Sequence, residues 1–239
     1  MEKKPKIFIA IPCYDAVKIE TAVSLFKLAW SLTKGGLEMV IKTVKSPNIP
    51  ISRNYLSSVF LASDCEYLLF IDSDVEFEPE AVIRMLVAKK HVVVTPYRTR
   101  TEDVRDKSYA VGLKNQDKVD VLPGDLIEIK AGPTGLMLIH RGVFETIMEK
   151  HPELKIKNGM NISAPEDFKY YYNFFDLSFK DGLIKSSDVA FCNLAVRNEF
   201  KIYANIKSVT AHHGDYAWKG SFEEMLKGAH HEKDTNGKN

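Results

Sequence analysis

The chain has 239 residues, 45% of them hydrophobic and 27% charged, with a formal net charge of +1. That length supports one large domain with a real core or two small ones, and the composition excludes a fibrous or low-complexity chain. The charge is balanced and no dense Lys/Arg run occurs, so no nucleic-acid partner is expected.

Three scattered cysteines, Cys13, Cys65 and Cys192, form no CxxC pair, which fits a reducing compartment better than a disulfide or zinc framework. The Met-Glu-Lys-Lys-Pro start leads into a short strand rather than a signal core. No apolar run reaches the ~20 residues of a membrane span. A soluble, cytoplasmic protein is expected.

In chain order, Lys6 to Ile11 reads as a buried strand stopped by Pro12, with Pro12, Cys13, Tyr14 and Asp15 as a loop. Ile19 to Leu32 shows apolar residues at Ala22, Phe26, Ala29 and Trp30, roughly helical spacing, and Gly35-Gly36 ends it. Leu37 to Val44 is a second strand, so the first unit implies a parallel pair with a crossover helix. Ser52-Arg53-Asn54 precedes an apolar helix, with Ser52 as its cap. Tyr67 to Ile71 is a third strand, ending abruptly in Asp72-Ser73-Asp74. Pro79 and flanking acids start a helix through Lys89, and His91 to Thr95 is a fourth strand. Residues 6–95 therefore alternate in an α/β pattern.

After Pro96 the pattern changes. Residues 97–106 are polar, with Arg98, Arg100 and Arg105 and then Lys107, and suit a solvated loop. Short segments at Tyr109–Leu113, Val119–Leu122 and Leu126–Lys130 read as antiparallel strands. Gly132-Pro-Thr-Gly135 precedes an apolar strand through His140, and Arg141 to Lys150 is an amphipathic helix. Residues 151–169 are rich in turn formers, and Tyr170 to Phe175 is strand-like. Ser187 to Phe200 is a helix with Asp188 at its start, and Lys201 to Val209 a last strand, followed by His212-His213-Gly214. One domain over residues 1–226 is expected, with halves 6–95 and 96–226 and a disordered polar tail over 227–239.

Asp72 and Asp74 stand out, because a core does not call for two carboxylates at a strand mouth. Such a pair repels itself unless a cation or donor offsets it. At the end of a sheet strand it suggests a divalent metal holding an anionic ligand, although a polar turn with Asp72 as a cap also fits. If the strand continued, both acids would point to one side. His212 and His213 are the best further ligands, and a mixed carboxylate and imidazole set suits Mn²⁺ and tolerates Mg²⁺. Asp188 is either a first-turn helix acid or a general base for an attacking hydroxyl. Arg53 is a surface arginine or, at a helix start, part of an anion site. Trp218, Tyr97 and Tyr14 are packed aromatics or stacking platforms.

Together these pieces resemble the GT-A-fold nucleotide-sugar glycosyltransferases, in the manner of glycosyltransferase family 2 and small virus-encoded relatives. The likeness runs from about Ile7 to Gly220. It implies a Rossmann-like mixed sheet flanked by helices, with a smaller antiparallel acceptor-side part. It further implies a nucleoside diphosphate sugar donor (UDP- or GDP-linked), a carbohydrate acceptor, and Mn²⁺ or Mg²⁺. By this resemblance Pro12, Cys13 and Tyr14 lie against the base, and Arg53 beside the nucleotide. Asp72, Ser73 and Asp74 form the DxD, with Asp74 the direct metal ligand and Asp72 nearer the ribose. Gly135 belongs to the acceptor-side segment. Asp188 is the base of an inverting enzyme, and His212 completes the metal site, or His213 if the register shifts by one. Trp218 is a further substrate contact. Ser187 departs from the family, standing where its first acid belongs, and Ile41–Lys45 lacks the acid many members place near the base.

Two other readings exist. Asp72-Ser-Asp-Val75 also fits the nucleophile motif of haloacid-dehalogenase-like phosphatases, although that motif belongs on a first strand. A non-catalytic nucleotide-sugar-binding module is compatible with Ser187.

Overall fold

The computed structural model describes residues 5–101, 103, 108–115, 119–157, 169–180 and 182–227. Arg105, Lys107, much of the 151–169 loop and the tail from 228 onward lie outside these residues.

The strands are β1 (Lys6–Cys13), β2 (Glu38–Lys45), β3 (Tyr67–Ile71), β4 (Val75–Phe77), β5 (Val92–Val94), β6 (Gly112–Leu113) and β7 (Val121–Leu122). They continue with β8 (Leu126–Ala131), β9 (Leu136–His140), β10 (Ser178–Lys180), β11 (Leu183–Lys185), β12 (Ile202–Asn205), β13 (Thr210–His213) and β14 (Ala217–Gly220). The helices are α1 (Ile19–Lys34), α2 (Ile49–Ala62), α3 (Pro79–Val87), α4 (Arg141–Lys150) and α5 (Ser187–Arg197). Residues 222–227 are also helical, so Lys227 falls within a helix rather than in a polar tail.

The main sheet runs β2-β1-β3-β9-β5-β12-β8-β6, with β7 also on β8. β1 pairs in parallel with β2 and β3, whereas β9 runs antiparallel to both β3 and β5. This is the expected mixed sheet flanked by helices, consistent with a GT-A-like fold. Strands from the two halves of the chain interleave, since β9 lies between β3 and β5. A separate small antiparallel sheet has the order β14-β13-β4.

Strand alternation explains the layering. Ile7, Ile9 and Ile11 face the layer that holds Leu28, Leu32, Val82 and Met85, while Phe8 and Ala10 face the layer with Leu56, Phe60, Phe144 and Phe191. Each Ile, Leu, Val, Met or Phe side chain so removed from water contributes about 1.5–3 kcal/mol.

Several elements depart from the sequence reading. The inward face of α1 is Thr21, Ser24, Leu28 and Leu32, whereas Phe26 and Trp30 are 78% and 74% exposed. Polar Ser24 turns inward because its hydroxyl bonds the Glu20 carbonyl and accepts the Phe77 N–H, closing one end of β4. Pro12 does not stop β1, which pairs with β2 through Cys13–Lys45. The Cys13 carbonyl accepts from Ser46. By alternation the Pro12 nitrogen faces the β3 side, where pairing ends at Ala10, so its missing N–H costs no ladder bond. The α2 cap is Asn48, whose side chain accepts from Ile51, with Pro50 in the first turn. Ser52 and Arg53 therefore lie inside the helix and not at its anion-binding end. Tyr170–Phe175 forms no strand beyond a Lys155–Tyr172 bridge, since its aromatic rings fill the core instead. The predicted last strand ends at Asn205, and both histidines lie in β13.

Candidate active site

One edge of the sheet collects the chemistry. The C-terminal ends of β1, β3 and β5 lie there, together with the N-terminal end of β9, because Ile71 pairs with Leu136 and Val94 with Met137. Ligands in open α/β sheets gather outside such strand ends.

Beyond Ile71 the strand does not continue. Residues 72–74 form a turn, with the Val75 N–H on the Asp72 carbonyl at 3.4 Å, so the two acids diverge rather than share a side. Asp72 turns towards Arg53, whose Nη2 lies 3.1 Å from Oδ1 and 3.4 Å from Oδ2. The Tyr97 hydroxyl donates to Asp72 Oδ2 at 3.2 Å. Burial raises the Asp72 carboxyl; Arg53 opposes this, while Asp188 and Asp74 add to it. Tyr97 is pushed well above its usual value by burial and then by the same carboxylates. With its hydroxyl bonded and only 7% of its surface exposed, Tyr97 supports Asp72 and is not a free stacking platform.

Arg53 is 4% exposed, far from a surface arginine. Its Nη1 reaches Asp188 Oδ1 at 2.5 Å and Ser187 Oγ at 3.1 Å. Burial lowers its basicity, but Asp72 and Asp188 together more than reverse this. Asn54 locks this part of α2 by bonding Asn173 and both backbone groups of Phe175. Asp188 lies in the first turn of α5, which Ser186 caps. One turn on, Phe191 stacks on Phe175 at 4.6 Å and anchors the helix. Asp188 also accepts from the Thr134 hydroxyl at 2.8 Å. The sequence marks Ser187 only as standing where the resemblance places an acid, and it does not mark Thr134. Thr134 carries a weak signal, its place between Pro133 and Gly135 just before a buried strand.

Gly135 has a steric reason. A Cβ there would fall 2.3 Å from the Tyr97 hydroxyl and 2.5 Å from Asp72 Oδ2. Its carbonyl also accepts the Asp72 N–H. Only glycine permits the backbone of β9 to approach that closely.

Asp74 faces the small sheet. The pairing of His212 with Val75 sets His212 beside it, and His212 Nε2 is 3.5 Å from Asp74 Oδ1. His212 Nδ1 lies 3.1 Å from the Arg98 carbonyl. A carbonyl only accepts, so Nδ1 is the protonated nitrogen and Nε2 is turned to the carboxylate. The Tyr97 ring packs edge-on against the imidazole at 4.8 Å. His213 points elsewhere, with Nε2 2.8 Å from Glu76. The Arg100 guanidinium also contacts the Asp74 carboxylate. Burial would raise Asp74, but His212 and Arg100 beside it outweigh this and hold the group below its usual value.

Asp74 and His212 have the donor chemistry of a divalent-cation site. An imidazole whose Nδ1–H rests on the Arg98 carbonyl turns its Nε2 to a carboxylate, the pair of donors such a cation takes, and the Nδ1–H to carbonyl bond is the usual outer support. Among the described residues no cluster of three or more such ligands occurs, and Asp74 and His212 form a pair. Asp72, engaged by Arg53 and Tyr97, is not part of this pair.

At the rim, Tyr14 is 69% exposed just past β1, while Cys13 is 6% exposed. The Ser73 carbonyl accepts from Lys18, tying the turn to the start of α1. Trp218 sits opposite His212 across the β13–β14 pair but is only 6% exposed, so its face is not open for stacking.

No family model and no curated protein matches the chain. Among solved structures, A197 from STIV is similar over 88% of this chain and 86% of that one, at 19% identity and a TM-score of 0.52. A glycosyltransferase involved in the glycosylation of the major capsid of PBCV-1 aligns over 70% of this chain and 74% of its own. The identity is 14% and the TM-score 0.37. A 4-diphosphocytidyl-2C-methyl-D-erythritol synthase from Anaerococcus prevotii aligns over 81% and 96%, at 13% and 0.37. The likeness to A197 bears on the fold alone. Among the described residues no helix is long and apolar enough to cross a membrane.

Proposed function

We propose that this chain transfers a sugar from a nucleoside diphosphate sugar, UDP- or GDP-linked, to an acceptor hydroxyl on a glycan, with inversion. The observation that carries the reading is the Asp74–His212 pair, 3.5 Å apart, beside a separate Asp72–Arg53–Asp188 cluster at the same sheet edge. A cation-binding pair next to a carboxylate that can accept a proton is what such a transfer needs.

In this reading Asp74 and His212 would hold Mn²⁺ or Mg²⁺, which would supply positive charge to offset that of a departing diphosphate. Tyr14 stacks on the base, flanked by the chain at Pro12 and Cys13. The turn through Ser73 borders the nucleotide. Asp188 takes the proton from the attacking hydroxyl at an oxygen that Thr134 and Arg53 orient. Arg53, inside the protein, holds Asp72 and Asp188 at fixed separation rather than meeting phosphate. Gly135 lets the acceptor-side strand close on Asp72. One domain over 1–226 carries the whole site.

The test is turnover of UDP- and GDP-sugars, read as released nucleoside diphosphate, with Mn²⁺ and with EDTA. Release that requires the metal and is lost in Asp74→Ala supports the reading. Release indifferent to both removes the metal from it. Hydrolysis of p-nitrophenyl phosphate, without release from any nucleotide sugar, would favour a phosphatase.

A further inference from the structure

The side chain that answers the Asp74 carboxylate is Arg100, which also donates to the His213 carbonyl at 2.5 Å. The chain just before it is tethered on several sides. Thr99 N–H bonds the Ser108 carbonyl, Arg98 bridges to Tyr109, and the Arg98 carbonyl accepts from His212. The head group is less enclosed, since the Arg100 side chain is 40% exposed. Gly214 makes room for it, because a Cβ there would meet Arg100 Nε at 3.4 Å and the Trp218 ring at 3.0 Å.

We propose that Arg100 is a placeholder for the divalent cation, resting on Asp74 until an anionic donor draws it away. This deepens the function proposed above and rests on it. A guanidinium keeps its charge at any working pH, so a bare cation approaching Asp74 meets a carboxylate already neutralised and a fixed positive charge beside it. A diphosphate changes both terms. It offers the guanidinium a bidentate anionic partner and brings oxygen ligands to the cation. Metal and donor thus bind as a coupled pair, each raising the affinity of the other. Arg100 is a positioning residue in this scheme.

The experiment is Mn²⁺ binding by titration calorimetry, without and with UDP or GDP, for wild type, Arg100→Ala, Arg100→Lys and Asp74→Asn. Arg100→Ala is expected to bind Mn²⁺ without nucleotide about tenfold tighter than wild type, within the usual range of coupling between sites. Arg100→Lys keeps the charge and stays near wild type. The gain in Mn²⁺ affinity on adding nucleotide is expected to shrink in Arg100→Ala. Equal Mn²⁺ affinity in wild type and Arg100→Ala, with binding lost in Asp74→Asn, overturns the placeholder and leaves the metal site standing. No Mn²⁺ binding by any of the proteins, with or without nucleotide, overturns the metal site and the placeholder with it.

Discussion

Arg53 and Asp188 lie 135 residues apart in the chain and meet at 2.5 Å inside the protein, while the other arm of the same guanidinium holds Asp72 at 3.1 Å. A buried cation between two carboxylates carries a stability consequence. Arg53→Ala leaves both acids in a poorly solvated place without their partner. The expected loss is about 3–5 kcal/mol, the usual result of removing one member of a buried ion pair. Urea denaturation measures it, and a loss below about 1 kcal/mol, the range of surface pairs, would show that the cluster is solvated.

Gly135 is constrained by sterics rather than by charge. In Gly135→Ala the new methyl collides with the Tyr97 hydroxyl and Asp72. A destabilisation of about 1–3 kcal/mol is expected, as for other overpacked sites. The second-site change Tyr97→Leu should recover part of it, because the hydroxyl is the nearest obstacle. An unaltered urea midpoint in Gly135→Ala would contradict the close approach.

Asp74 makes stability depend on pH. Its folded pKa lies below that of a free aspartate, so its contribution is present above the free value and is lost as pH falls through the lower folded one. Asp74→Asn removes it. The stability difference between wild type and Asp74→Asn should therefore be largest above pH 4 and shrink towards pH 2.5. Urea curves across that range check the sign, and a difference that grows on acidification would reverse it.

Asp188→Asn keeps an oxygen for Arg53 and Thr134 but cannot take a proton. Under the proposed mechanism kcat falls by about 10²–10⁴-fold, the span of general base catalysis, with donor affinity little changed. Full transferase activity in this variant would falsify the base role.

Much of the fold was legible. Strand runs such as Tyr67–Ile71 bury nearly every side chain and announce themselves by composition. Helix facing was not, because Thr21 and Ser24 turn inward to meet β4 while Phe26 and Trp30 face out, and hydrophobicity ranks those residues the other way. In the site, Asp72, Asp74, Asp188, Arg53 and His212 were visible as residue types. Their partners were not. Arg100 and Thr134 reach the carboxylates only through pairings between distant segments, and local spacing carries no trace of those. The choice between His212 and His213 likewise waits on the β4–β13 register, which turns His212 to Asp74 and His213 to Glu76.

The decisive measurement is the thermal shift of the protein with UDP-, GDP-, CDP- and dTDP-sugars, with Mn²⁺ and with EDTA, repeated in Asp74→Ala and His212→Ala. A ligand that binds only the folded state raises its melting temperature. The expected result is a shift with one donor class that needs Mn²⁺ and disappears in both variants. A shift of equal size in EDTA, or one that survives in both variants, would contradict a metal-held nucleotide sugar at this site.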